Sequence, residues 1–362
     1  MWPDRRLLDL FGIEVPIVQA PMAGVQDADL AIAVAEGGGL GSLPCAMWGA
    51  DKVREQIGIL RQRIAAPLNL NFFCHRPVAA DAAAELAWRR RLAAYYREHG
   101  LDPSMTIAAA NRAPFDEAMC AVVEEMRPEV VSFHFGLPEE RLLARVKAAG
   151  AIVMGSATIV REAVWLAEHG ADVVIAQGAE AGGHRGMFLT EDIATQPGTL
   201  ALVPQVADAV RLPVIAAGGI ADGRGIAAAF ALGAAGVQIG SAYLRSAESK
   251  VTPPARAALA AARDDATVIT NVMTGRPARG VVNRVMAEVG PLAAEAPAFP
   301  HAATALAPLK AAAEAAGRAD FSNLWAGQGL ALGREAGAAA LTRQMAEDAL
   351  AWLRRLGTGE PG

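Results

Sequence analysis

Residues 214–223 read Val214-Ile215-Ala216-Ala217-Gly218-Gly219-Ile220-Ala221-Asp222-Gly223, and this stretch decides the fold class. An apolar run without alternation marks a strand buried on both faces. Two glycines end it, and Asp222 is placed to cap a following helix. Glycines at that point let backbone N–H groups approach a dianionic phosphate with no Cβ in the way. The pattern recurs as Gly236-Val237-Gln238-Ile239-Gly240-Ser241, a second strand ending in glycine, now with a hydroxyl. Gly-Gly alone also serves any tight turn; the repeat of the whole strand-glycine unit is the specific signal. Two consecutive βα units of this kind match the phosphate site at the last two strands of many (β/α)8 barrels.

Working outward, short apolar runs at 17–20, 39–43, 68–73, 130–134, 152–155, 173–177, 214–217 and 237–239 give eight strand candidates. Between them lie helical patterns, among them 28–36, 82–99, 139–149 and 159–169. Two of these close on His99-Gly100 and His169-Gly170, where glycine ends the helix and histidine complements its negative end. Strand–helix alternation argues for a parallel sheet, and eight units favour closure into a TIM barrel. After Ser246 the rhythm breaks at Thr252-Pro253-Pro254, and Pro291, Pro297 and Pro300 punctuate an alanine-rich stretch. The expected organisation is a barrel over 1–249, a partly helical lid subdomain over 250–320, and a segment over 321–362. That last segment is expected to return to the barrel near 324–329 and to end in a helix from about 338 to 356.

The chain has 362 residues, 53% of them hydrophobic, which suffices for a large core. A net charge of -5 with no long basic stripe argues against a nucleic-acid partner. Residues 1–6 lead into a short amphipathic stretch without the apolar core of a signal peptide. No window approaches the roughly 18 unbroken apolar residues of a membrane span. A cytoplasmic location with no membrane partner is therefore expected. Cys45, Cys74 and Cys120 show no close pairing, no CxxC spacing and no partner histidines, which fits structural thiols in a reducing compartment and no metal site.

The other strand ends carry the candidate chemistry. The first runs into Gln19-Ala20-Pro21-Met22-Ala23-Gly24, a small-residue loop at the barrel mouth. The third carries Asn69 and Asn71 on one side of the strand, two amides that are costly to bury without partners. A flat heterocycle rich in donors and acceptors would supply those partners; a pair of satisfied core amides is the plainer alternative. The sixth leads into a glycine-rich loop with an amide, a carboxylate, an imidazole and a guanidinium: Gln177, Glu180, His184 and Arg185. Histidine exchanges a proton near neutral pH, which suits a base attacking a carbon acid. His134 at the end of the fourth strand sits between two phenylalanines and is equally readable as packed. His75 and His301 look ordinary. Arg276 and Arg279 can meet a substrate carboxylate, although lid arginines are more often solvated or paired with acids.

At these residues the sequence resembles the nitronate monooxygenases, over nearly the whole chain. The segments that carry the resemblance are PIVQAPMAG (16–24), NLNFF (69–73), VSFHFGLP (131–138), QGAEAGGHRG (177–186), AAGGI (216–220) and GVQIGS (236–241). MTGRPARG (273–280) and LWAGQG (324–329) resemble the family's closing segments. The resemblance implies an FMN-binding barrel that oxidises alkyl nitronates with O2 to a carbonyl compound and nitrite, by electron transfer through the flavin. It puts Met22 and Ala23 against the flavin ring. Asn71, with Asn69 as second choice, and Gln177 would bind the ring edge or ribityl chain. Gly182 and Gly183 would line the same cofactor, Gly218, Gly219, Gly240 and Ser241 would hold its phosphate, and Gln238 and Gln328 would add contacts. His184 matches the family's catalytic histidine, and His134 faces the same cavity. Serine stands at 241 where threonine is common, and keeps the hydroxyl.

The nearest rival is an NAD(P)H-dependent flavin reductase on the same scaffold, of the enoyl-acyl-carrier-protein reductase or quinone reductase type. VSFHFGLP and NLNFF favour the nitronate enzymes. Chemistry of the IMP-dehydrogenase kind wants a cysteine after a late strand, and none lies beyond residue 120. A non-catalytic flavin-binding protein would lose the polar mouth that His134, Gln177 and His184 retain. The partners expected are a small nitronate or nitroalkane and O2, and an alanine-rich helical surface permits a homodimer.

Overall fold

In the computed structural model, which describes residues 1–108 and 112–358, all eight expected strands form. They are β1 (Ile17–Gln19), β2 (Gly41–Pro44), β3 (Leu68–Phe73), β4 (Val130–His134), β5 (Ile152–Ala157), β6 (Val173–Gln177), β7 (Val214–Ala217) and β8 (Gly236–Ile239). Each pairs in parallel with its neighbours in chain order, and β8 returns to β1, aligning Val237 with Ile17. Between β1 and β2 a parallel bridge joins Val18 to Leu40. There Gln19 N–H donates to Leu40 O and Leu40 N–H to Ile17 O, both at 2.9 Å. The sheet closes on itself, a (β/α)8 TIM barrel as the sequence implies.

Several helices start where a short polar side chain satisfies free N–H groups. Asp27 accepts from Asp29 N–H at 3.0 Å ahead of helix Ala28–Glu36. Asp222 accepts from Arg224 and Gly225 N–H at 3.0 and 3.2 Å ahead of helix Gly223–Ala231, as its position after the glycines suggests. At the end of helix Val160–Glu168, His169 Nδ1 lies 2.7 Å from Trp165 O. The final helix, Ala338–Thr358, lays Ala338, Leu341, Met345, Ala346 and Ala349 on the core beneath β1, β7 and β8. The last four residues of the chain lie outside the described ones.

Residues 250–320 contain helices Pro253–Ala261, Arg284–Val289 and Ala302–Ala315, together with two strands that sequence reading did not foresee, Thr267–Thr270 and Ala278–Val281. These strands form an antiparallel three-stranded sheet with Gly183–His184 from the loop after β6. Helix Ala82–Glu98 packs on helix Ala302–Ala315. Trp88 Nε1 donates to Ala302 O at 3.2 Å, Tyr96 Oη to Ala305 O at 2.5 Å, and both rings join Leu309 and Phe321 in a separate apolar cluster. Among the described residues no helix is long and apolar enough to cross a membrane, and no group of three or more His, Cys, Asp or Glu could hold a metal ion.

Candidate active site

The carboxyl ends of the barrel strands open onto one cavity of about 430 Å³, covered by residues from 250–329. Met22, Ala23, Asn71 and Gln177 line it, and so do His134 and His184. Gly182, Gly183, Gln238 and the four residues Gly218, Gly219, Gly240 and Ser241 complete the set that lies on its wall. Two sequence candidates are placed elsewhere. Asn69 is fully buried one step deeper in the barrel, its Nδ2 donating to Ser42 Oγ at 2.9 Å. Gln328 is exposed and reaches the loop after β6 only through its backbone, whose N–H donates to Glu180 O at 3.0 Å. Its flanking Gly327 and Gly329 line the cavity instead.

At the β7–β8 end the backbone itself forms the wall. Gly218 and Gly219 have φ of 127° and 71°, a region that side chains rarely tolerate. A Cβ on Gly218 would stand 2.6 Å from Thr199 Oγ1. Ser241 Oγ accepts from Gly327 N–H at 2.8 Å, which leaves its own proton for an outside acceptor. Nearby, Gln238 Oε1 is buried without a partner. Orphaned buried carbonyl oxygens call for a donor. A phosphate-bearing ring system with ring N–H groups, such as FMN, fits this donor and acceptor set.

The opposite end is built around His184. Its backbone carbonyl accepts from Gln177 Nε2 at 3.0 Å and is 3.1 Å from His134 Nε2, which must donate there. Its ring Nε2 is 2.9 Å from Thr274 Oγ1. Gln177 also accepts from Gly186 N–H at 2.7 Å, so one amide clamps both ends of the histidine turn. Burial, then Arg112, His134, Arg276 and Arg185, push His184 well below the usual histidine range. Burial also pushes His134 down to about 3. Both imidazoles are neutral at physiological pH. His134, which sequence reading leaves between packing and function, lines the cavity and holds the backbone carbonyl of His184.

Arg185 is fully buried, and its guanidinium folds back onto its own loop. It donates to Gly178 and Ala179 O at 3.3 Å, to Gly183 O at 2.8 Å and to Ala181 O. Burial lowers its pKa to about 9. Arg279 is buried and Arg276 half-buried, and neither forms a salt bridge among the described residues. Arg276 donates to Met187 O at 2.5 Å and stacks 4.0 Å above the Phe135 ring, while Arg279 Nε donates to Ala179 O at 2.9 Å. The arginine that does line the cavity is Arg112, with Nε unpartnered and its pKa pushed to about 10 by burial. Arg112, Ser156, Thr274 and Trp325 were missed by sequence reading. Thr274 had a signal, since it stands in the MTGRPARG segment, but only the fold carries that segment to His184.

The nitronate monooxygenase family model matches residues 4–348 of this chain. A nitronate monooxygenase from Paraburkholderia phytofirmans is 43% identical over 343 residues, covering 94% of each chain. The crystal structure of nitroalkane oxidase from Streptomyces ansochromogenes superposes with a TM-score of 0.87 at 39% identity, over 97% of this chain and 99% of that one. FabK from Thermotoga maritima follows at a TM-score of 0.76 and 28% identity, over 99% of this chain and 100% of that one. With the barrel, the glycine cradle and the anchored histidine in place, the chain belongs to the nitronate monooxygenase family and is an oxidoreductase.

Proposed function

We propose that the cavity binds FMN and that the protein oxidises alkyl nitronates, such as propionate 3-nitronate, with O2 to a carbonyl compound and nitrite. The observation that carries this reading is the meeting, in one cavity, of the β7–β8 glycine cradle and a neutral His184 pinned by Gln177, His134 and Thr274. Bound there, the flavin would supply electron transfer between nitronate and O2. Gly218, Gly219, Gly240 and Ser241 would hold its phosphate. Met22 and Ala23 would back the ring, with Asn71, Gln177, Gln238 and the Gly182–Gly183 turn at its edge and chain. Asn69 supports this wall from behind through Ser42, and Gln328 contributes its backbone alone.

His184 takes the α-proton when the substrate arrives as a neutral nitroalkane. The cations around it serve the same step: they disfavour an isolated imidazolium and favour the nitronate anion that forms beside it. Residues 250–320 act as a lid that excludes water, with helix Ala82–Glu98 packed behind it. The division into 1–249, 250–320 and 321–362 is functional in this sense: cradle, cover and return to the cradle.

The test is oxygen uptake by the FMN-loaded protein given propionate 3-nitronate without any nicotinamide. Rapid uptake with nitrite release is expected. Absence of uptake, together with fast anaerobic reduction of the flavin by NADPH, would replace this reading with the NAD(P)H-dependent reductase.

A further inference from the structure

Thr274 is fully buried, and its hydroxyl lies between two groups: His184 Nε2 at 2.9 Å and Arg276 O at 3.4 Å. A hydroxyl has one proton to give. A carbonyl can only accept, so both contacts are hydrogen bonds only when Thr274 donates to Arg276 O. Thr274 Oγ1 then accepts, and the proton on the His184 ring sits on Nε2. Nδ1 is left with its lone pair. Among the described residues no protein donor meets Nδ1, and it is not among the polar atoms sealed from solvent without a partner. It keeps access to solvent, and the residue that carries it lines the cavity.

His134 is held in the same tautomer by a backbone carbonyl, that of His184, so among the two cavity histidines only His184 has its ring proton placed by a side chain. Thr274 is also carried by the right segment. It lies between the strands Thr267–Thr270 and Ala278–Val281, and the second of these pairs Ala278 with His184 itself. One segment supplies both the backbone rung and the side-chain acceptor that orient the ring.

We infer that Thr274 is a positioning residue that fixes His184 in its Nε2–H tautomer and thereby presents Nδ1 to the substrate. The inference rests on the reading of His184 as the base for neutral nitroalkanes. In that step the α C–H bond breaks, its electron pair moves into the nitro group to give the nitronate, and the proton forms a new bond to Nδ1. No oxidant takes part.

The experiment compares Thr274→Val, Thr274→Ser and His184→Asn as FMN-loaded enzymes on nitroethane and on preformed ethyl nitronate. Flavin content is checked by absorbance. Thr274→Val is expected to lower kcat/KM for nitroethane about tenfold or more while ethyl nitronate stays within about threefold, and Thr274→Ser is expected to restore the loss. Nitrogen-15 NMR of histidine-labelled holoenzyme, with the His184 signals assigned by their absence in His184→Asn, should show that ring with Nε2 protonated and Nδ1 bare in the native protein and in Thr274→Ser, and a mixture of tautomers in Thr274→Val, while His134 keeps its Nε2 proton throughout. If His184→Asn separates the two substrates and Thr274→Val does not, the role of Thr274 is overturned alone. If His184→Asn affects both substrates equally, the base reading falls and this inference falls with it.

Discussion

Glu162 is a carboxylate with no solvent exposure, near enough to Arg276 to act on its charge, and its oxygens are fully used by neutral donors. They accept from Thr158 N–H and Oγ1 at 2.7 Å and from Phe188 and Leu189 N–H at 2.6 and 3.0 Å. The acid ties the loop after β5 to the far end of the histidine loop, whose near end Gln177 holds. Glu162→Ala would strand these donors in the interior. A loss of about 3 kcal/mol is expected, read by urea unfolding of the holoenzyme. Weaker FMN retention should accompany it, because the same loop carries Gly182 and Gly183. Unchanged stability would mean that water replaces the carboxylate. At this scale the sequence was only partly legible. It flagged His184 through its flanking glycines, but Arg185 and Glu162 bond to backbone carbonyls and N–H groups, which leave no mark in residue identity.

Among the elements, the final helix shows how tightly the barrel is wrapped. A Cβ on Gly223 would stand 2.5 Å from Ala349 N and from Asp348 Cβ. Gly223→Val is expected to push the helix off and cost about 2 kcal/mol by overpacking, seen as a lowered Tm. The control is Gly58→Ala in helix Ala50–Arg63, where an added Cβ meets nothing within 4 Å. There the change should stabilise by about 0.5 kcal/mol or more. Equal effects at both glycines would contradict the packing argument. The barrel strands were legible because burial on both faces writes unbroken apolar runs such as 173–177 and 214–217. The strands Thr267–Thr270 and Ala278–Val281 were not. Each is four residues long, Arg279 and Gly280 interrupt the apolar pattern, and Gly183–His184 is a strand only because Ala278–Val281 pairs with it.

Across the whole molecule, three buried imidazoles set the response to acid. His75 is pushed down to about 4 and His134 to about 3 by burial, and His184 lies well below its usual range. The unfolded chain protonates these groups near pH 6.5, and the folded one resists. Their contribution is therefore complete above the unfolded value and is lost as pH falls from there towards the folded values. At about pH 5.5 His75 and His134 should each have cost about 1.4 kcal/mol, with His184 acting in the same direction, so Tm should fall steeply between about pH 7 and pH 5. His75→Phe should lessen that slope by its share; a flat profile over the window would refute the account. The three-stranded sheet has a further consequence, in the order of synthesis. The four cradle residues have all been made once Ser241 emerges, with only the bond from Gly327 N–H to Ser241 Oγ still to come, but His184 waits for Thr274 and Ala278. On the proposed function, a nascent chain emerging from the ribosome would thus present the cradle for its cofactor before the segment that orients the base.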